Sequence, residues 1–500
     1  RITEIALRER LDAHRVVEWV SPSVSAVLGW TQDEMCGTRI MDHVFPEDAE
    51  RVRAATSMAN EGVNSNIGAS SNAAANLVLD GGTLRYTGAT ASTDRLFTLG
   101  STGFIDASGS GLLSWTNGGA LGYSGTSART LTLQGSTGGV LASVVANNTG
   151  ATSVTKSGTG TWTLSGTNTY TGVTTISGGT LSVSSLASGG SNSNIGASTN
   201  VAANLVLDGG TLRYTGAAAS TDRLFTLTGN NGFIDASGSG ILSWTNTGSL
   251  AYTGTSARTL TLLGSMGGVL ASVVGNNTGA TSVTVNGTGS WTLSGTNTYT
   301  GVTTISGGTL SVSSLANGGA NSNMGASSSV AANLVLDGGT LKYTGDAVST
   351  DRLFTITFNG GTLDASGSGT LTFANTTSLA YSGSSVRTLT LTGTGNGYFS
   401  PVIADGADLT SVVKNGAGTW TVAGQNSYSG VTTVNAGTYK LSGANAIALG
   451  ASVKVDGGIL DLGGEARTFG SFSGAGGVVS LNASTDQTLT FSGSDNTSYA

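Results

Sequence analysis

The chain of 500 residues has one cysteine (Cys36), two histidines (His14, His43) and three prolines. A single cysteine excludes an intramolecular disulfide framework. Scarce proline beside 79 glycines, with no three-residue glycine period, excludes collagen. No run of 18 apolar residues occurs, so no membrane-spanning helix is expected. Charge is also sparse at 10% of residues, and unevenly placed. Residues 1–62 hold 18 charged side chains, both histidines, the cysteine and two prolines, whereas the other 438 residues hold 31 charges. The chain therefore divides near Gly62. A net charge of −7 and a pI near 4.8 exclude the basic stripe that nucleic acid requires. The two isolated histidines have no ligand spacing and read as surface residues, so neither metal nor cofactor is expected. The chain starts at Arg1 without a secretory signal pattern, as a piece of a longer chain would.

Repetition fills the remainder. NSNIGAS at 64–70 returns at 192–198 and, as NSNMGAS, at 321–327. VLDGGTL stands at 78–84, 206–212 and 335–341, with KVDGGIL at 454–460. Trp162, Trp291 and Trp420 are each 129 residues apart. The expected organisation is a segment 1–62, then units 63–191, 192–320, 321–445 and a partial 446–500. Within units, apolar residues alternate (Leu77, Leu79; Leu131, Leu133; Trp162, Leu164; Leu181, Val183), which is the period of a strand with one face inward. Glycine pairs between the runs supply turns. Mean hydropathy of +0.11 argues against disorder. Repetition without limit favours an all-β solenoid of parallel strands over a sandwich. About six coils of roughly 20–22 residues per unit and a rod on the order of 100 Å are expected. Asn168, Thr174 and Thr175 suit turns where amides and hydroxyls stack from rung to rung.

The phrase GTGTWTLSGTNTYTGVTTISGGTLSV at 158–183 recurs at 287–312 and 416–441 and begins again at 488–500. It resembles the autotransporter-associated β-strand repeat of bacterial surface-protein passenger regions. The resemblance implies a right-handed parallel β-helix, export across the outer membrane and a cell-surface or secreted location. The family's export signal and membrane barrel are expected outside this stretch. Residues 13–55 resemble about half of a PAS sensor domain. Ser21–Ser23, Leu28–Trp30, Glu34, Gly37 and Pro46–Asp48 carry that likeness, with helices expected over 2–11 and from Pro46 to about Ala55 and a strand at 15–20.

Chemistry has few candidates. Asp80, Asp94 and Asp106 recur as Asp208, Asp222, Asp235 and as Asp337, Asp351, Asp364. Paired carboxylates serve polysaccharide-cleaving β-helices. The local reading is a turn at Asp80 and a surface pair at Asp94-Arg95. Trp115, Trp244, Phe373, Tyr86, Tyr214 and Tyr343 would bind sugar if exposed and otherwise pack the core. No catalytic, cofactor or metal residue is assigned. The expected function is a non-enzymatic structural or adhesive rod that meets host or environmental surfaces, carbohydrate or its own copies. The alternatives are a cytoplasmic PAS sensor fused to repeats and a polysaccharide-acting enzyme.

Overall fold

A computed structural model describes residues 7–9, 17–20, 52–481 and 489–492. The alternation seen in sequence becomes strands of two to six residues with every second side chain buried. Thr102–Ala107 places Gly103, Ile105 and Ala107 inside, and Thr161–Leu164 places Trp162 and Leu164 inside. Each strand stacks in parallel on the strand one coil earlier, as Thr161–Leu164 stacks on Gly138–Leu141. Four long columns of seven to 13 strands result, with shorter ones of two and three strands. The whole is a parallel β-solenoid of about 18 turns. At ~4.8 Å per turn that makes a rod of roughly 85 Å. Among the described residues from 52 on, the helical elements are short 3-10 turns at Ala74–Asn76, Ala202–Asn204 and Ala331–Asn333, one at the same place in each unit.

The coils are longer and fewer than expected. Steps of 20 residues occur (Val154 beneath Thr174), but so do steps of 28 (Gly103 beneath Leu131) and 31 (Thr174 beneath Leu205). The extra residues form corner loops rather than extra rungs. The largest, residues 184–204, tucks Leu186 and Ile195 into the core. A unit therefore makes about five and a third turns of some 24 residues, instead of six short ones.

That fraction has a geometric consequence. The same phrase forms Thr83–Tyr86, Thr211–Tyr214 and Thr340–Tyr343. These three strands lie in three different sheets, of nine, 13 and 12 strands. In the 13-stranded sheet, Thr180–Val183 of the first unit is followed by Thr211–Tyr214 of the second, and Thr303–Ile305 of the second by Leu334–Leu336 of the third. Each unit is thus turned by one face relative to its predecessor.

The N-terminal expectations are partly corrected. Val17–Val20 is a strand as expected, but it pairs antiparallel with Leu7–Glu9, where the sequence suggests a helix. Val52–Ala55 is a strand, not the end of a helix, because it pairs in parallel with Thr83–Tyr86 and forms the first rung. Sheet pairing overrides local helix propensity there. The motifs between Ser21 and Asp48 lie outside the described residues.

Five devices hold the coils. Trp162, Trp291 and Trp420 fill the interior, and each indole N–H donates to a carbonyl one coil back (Gln134, Leu263 and Thr392; 2.9, 2.9 and 2.8 Å). A glycine seats each ring: a Cβ on Gly397 would overlap the Trp420 ring. Asn168 is fully buried and bridges three levels, accepting from the Val145 N–H (2.8 Å) and donating to the Asn194 carbonyl (2.6 Å). Thr174 turns inward to Tyr170 Oη (2.7 Å), while Thr175 faces outward in the Thr155–Thr175–Val206 stack. Arg223 is buried and satisfied: its Nε donates to Ala187 O, Nη1 to Ser198 O and Oγ, and Nη2 to Gly196 O, which pins the 184–204 loop. Lys156 is buried with its ammonium on the Ser157, Gly158 and Gly178 carbonyls (2.6, 3.0 and 3.0 Å). Lys414 repeats this on Asn415, Gly416 and Ala436, whereas the second unit has Val285.

Trp162→Ala is expected to destabilise the array by about 3–5 kcal/mol, read from urea unfolding. Asn168→Ala removes one acceptor and one donor from buried partners. Hydrogen exchange should then show faster exchange at the Val145 amide than in the native chain; unchanged protection there would refute the bridge.

Burial lowers the ammonium of Lys156 and of Lys414 to about 8 from an ordinary 10.5. Between these values the unfolded chain holds more protons than the folded one. Their contribution to stability therefore rises with pH from about 8 to 10.5 and is level below 8. A K156V/K414V variant copies Val285 of the second unit at both positions. Thermal midpoints of the native chain and of this variant should diverge over that window, with the native chain gaining. Parallel curves would refute the shift.

Candidate functional surface

The recurring aspartates occupy three separate posts. Asp80 accepts from the Ser101 hydroxyl and N–H (both 2.8 Å), and these bonds hold its carboxyl below the ordinary value. Asp208 and Asp337 tie the same corner through Thr228 and Asn230, and through Thr357 and Asn359. Asp94 accepts from the Glu61 N–H, Asp222 from the Gly189 N–H and Asp351 from the Gly318 N–H (2.8, 2.7 and 2.7 Å), so this position closes a corner loop. Asp106 meets Arg85 one rung back at 3.7 Å, Asp235 meets Arg213 at 2.7 Å and Asp364 meets Lys342 at 3.9 Å. Ser108, Ser237 and Ser366 also donate to these last three.

One expectation changes. Arg95 is not paired with its neighbour Asp94. Its guanidinium is buried and bonds Ala59 O, Ser70 Oγ and Gly68 O, because burial alternates along residues 93–97 and sends Arg95 inward while Asp94 stays at the corner. The aromatic set packs the core, the reading that applies where these residues are not exposed. Trp115, Trp244, Phe373, Tyr86, Tyr214 and Tyr343 are all buried, the indoles in rows such as Phe97–Trp115–Trp162 at 6.2 Å spacing.

Among the described residues, no group of three His, Cys, Asp or Glu is placed to hold a metal ion. An open hollow of about 350 Å³ is bordered by Asn426, Ser427, Ser429, Asn445 and Leu449. Tyr428 also lines it, with its hydroxyl bonded to Thr432. Neither acid nor base converges there. The described surface presents rows of Thr, Ser and Asn, with cross-rung bonds such as Asn147–Thr171 and Asn276–Thr300 (2.7 and 2.8 Å). The third unit adds exposed apolar residues at Phe358, Val386 and Leu409, where the second has Gly229, Ala257 and Ala280.

The interior cations were not anticipated, although their signal was present. Arg129 is in phase with Leu131 and Leu133, and Lys156 with Val154, so strand parity alone sends both inward.

Known proteins agree with this geometry. Residues 154–183, 283–312 and 412–438 match the passenger-associated-transport-repeat family, so three of the four phrases are matched and 488–500 and the PAS-like stretch are not. The chain is 36% identical over 506 residues to the adhesin BmaC autotransporter of Brucella suis biovar 1 (strain 1330), covering 83% of this chain and 15% of that protein. The chain thus spans a small part of the relative's length. No solved structure matches it significantly. With three such repeats built into one continuous stack of parallel coils, this chain is a passenger-type β-solenoid built on passenger-associated-transport repeats.

Proposed function

We propose that residues 64–500 form a non-enzymatic rod on the outside of the cell that holds the surface at a distance and adheres to it. The observation that carries this is the uninterrupted parallel stack with its carboxylates tied to structural posts. A third-turn offset supports adhesion in particular. Equivalent surfaces of successive units lie roughly 25 Å apart along the axis and one face apart around it. Three units therefore turn the same wall in three directions, and a rod lying on a plane in any rotation presents one of them. Many weak contacts of this kind add by multivalency. The named relative is an adhesin, which fits. The partner class that suits uncharged hydroxyl and amide walls is carbohydrate or another polar surface, including a second copy.

Protease treatment of intact cells expressing the chain within its full-length protein is expected to remove the solenoid while cytoplasmic markers survive. Cells lacking residues 64–500 should adhere less to polysaccharide-coated and host-cell surfaces than cells carrying them. Protection from external protease would support the cytoplasmic alternative, and equal adhesion would remove the adhesive role.

A further inference from the structure

The interior contains a second set of buried arginines, and these are not satisfied. Arg129, Arg258 and Arg387 are 3%, 2% and 1% exposed. Each lies over the ring of a tyrosine: Tyr123, Tyr252 and Tyr381, at 5.2, 5.4 and 5.3 Å. Carbonyls take part of each guanidinium. Arg129 donates to Gly100, Ser124 and Gly125, Arg258 to Gly254 and Ser256, and Arg387 to Gly383 and Ser385. The buried Nη1 of all three has no partner, nor has the Nε of Arg258 and Arg387. One rung on, in register, stands a threonine: Thr152, Thr281 and Thr410. Its side chain is fully buried and its hydroxyl is also without a partner. The Arg95, Arg223 and Arg352 set differs, since its N–H groups are bonded to backbone carbonyls and serines.

A buried guanidinium needs compensation for its charge as well as for its N–H groups. No carboxylate forms an ion pair with Arg129 or Arg258 among the described residues. Nor does one with Arg387, but the third unit has a carboxylate close by. Asp405 stands where the first two have Asn147 and Asn276, and its neighbour Gly406 packs against the Arg387 guanidinium. Asp405 keeps the corner bonds of those asparagines, to the N–H groups of Thr410 and Ser429. So the third unit carries a negative charge of its own and the first two do not.

We propose that the first two units each bind a small inorganic anion of the halide class inside the wall, between Arg129 and Thr152 and between Arg258 and Thr281, and that in the third the charge of Asp405 at the neighbouring corner makes such an anion unnecessary. The guanidinium supplies charge and N–H donors, and the threonine hydroxyl supplies a further donor. The neighbouring tyrosine ring and coil backbone keep out bulk water.

The test uses the full chain and bromide, whose anomalous scattering locates it in crystals. Peaks are expected beside Arg129 and Arg258 and none beside Arg387. In solution, exchanging chloride for gluconate at constant ionic strength should lower the thermal midpoint by a few degrees. The N147D/N276D variant places the third unit's aspartate at the same corner of the first two. It should lose both bromide peaks and the chloride dependence, and T152V/T281V should weaken both. Ordered water in place of bromide at Arg129 and Arg258 would overturn the proposal. So would an equal peak at Arg387, or chloride dependence that survives in N147D/N276D.

Discussion

Parallel stacking at one fixed spacing is the constraint on which everything else depends. Each rung lies ~4.8 Å from the next, so every inward residue meets the residue in register one coil before and after. Leu181 sits between Trp162 and Leu212, and Ile176 between Lys156 and Leu207. Such a core has no centre and no end. It also has no room for a side chain where a ring crosses a neighbouring backbone, which explains glycines such as Gly397 beneath Trp420. Where the chain turns a corner, carbonyls and N–H groups leave the ladder. Buried Asn168, Arg223 and Lys156 meet them there, so the polar interior lies at the corners and the apolar interior between them.

The corners also determine how the rod faces its surroundings. Had a unit made a whole number of turns, its equivalent surfaces would line one side of the rod. The extra face in each unit spreads them around the axis instead. The residue count behind this is distributed over several loops, chiefly residues 184–204 and their equivalents. An enzyme gains nothing from such an arrangement, because its groups must converge. An adhesive or spacing rod gains independence from its own rotation.

Most of the fold is legible without the structure. The 129-residue period, alternating strands and glycine turns lead to a parallel solenoid. The coil count is not legible, because a loop of glycine, serine and asparagine looks the same in sequence whether it closes a tight turn or a wide corner. The Asp94-Arg95 pair misleads for a related reason. Adjacency in a chain suggests a salt bridge, but alternation turns Arg95 inward to backbone carbonyls. At the N-terminus, Val52–Ala55 follows an apparent helix start at Pro46, yet the free edge of Thr83–Tyr86 makes it a strand. The partners of the aspartate trio, such as Asp106 with Arg85 one rung away, become visible only once register is known.

The sequence by itself determined the class of structure, since a strand's two-residue period and a repeated turn chemistry are local properties that survive without a partner. It also determined that histidine and cysteine chemistry is absent from residues 63–500, simply because those residues are not there. Only the tertiary structure decided which polar residues are buried together. Arg129 and Thr152 are 23 residues apart, and nothing in either local sequence says that one coil brings them into register. The same holds for the turning of each unit onto a new face, which depends on the summed length of every corner loop and so belongs to no single motif.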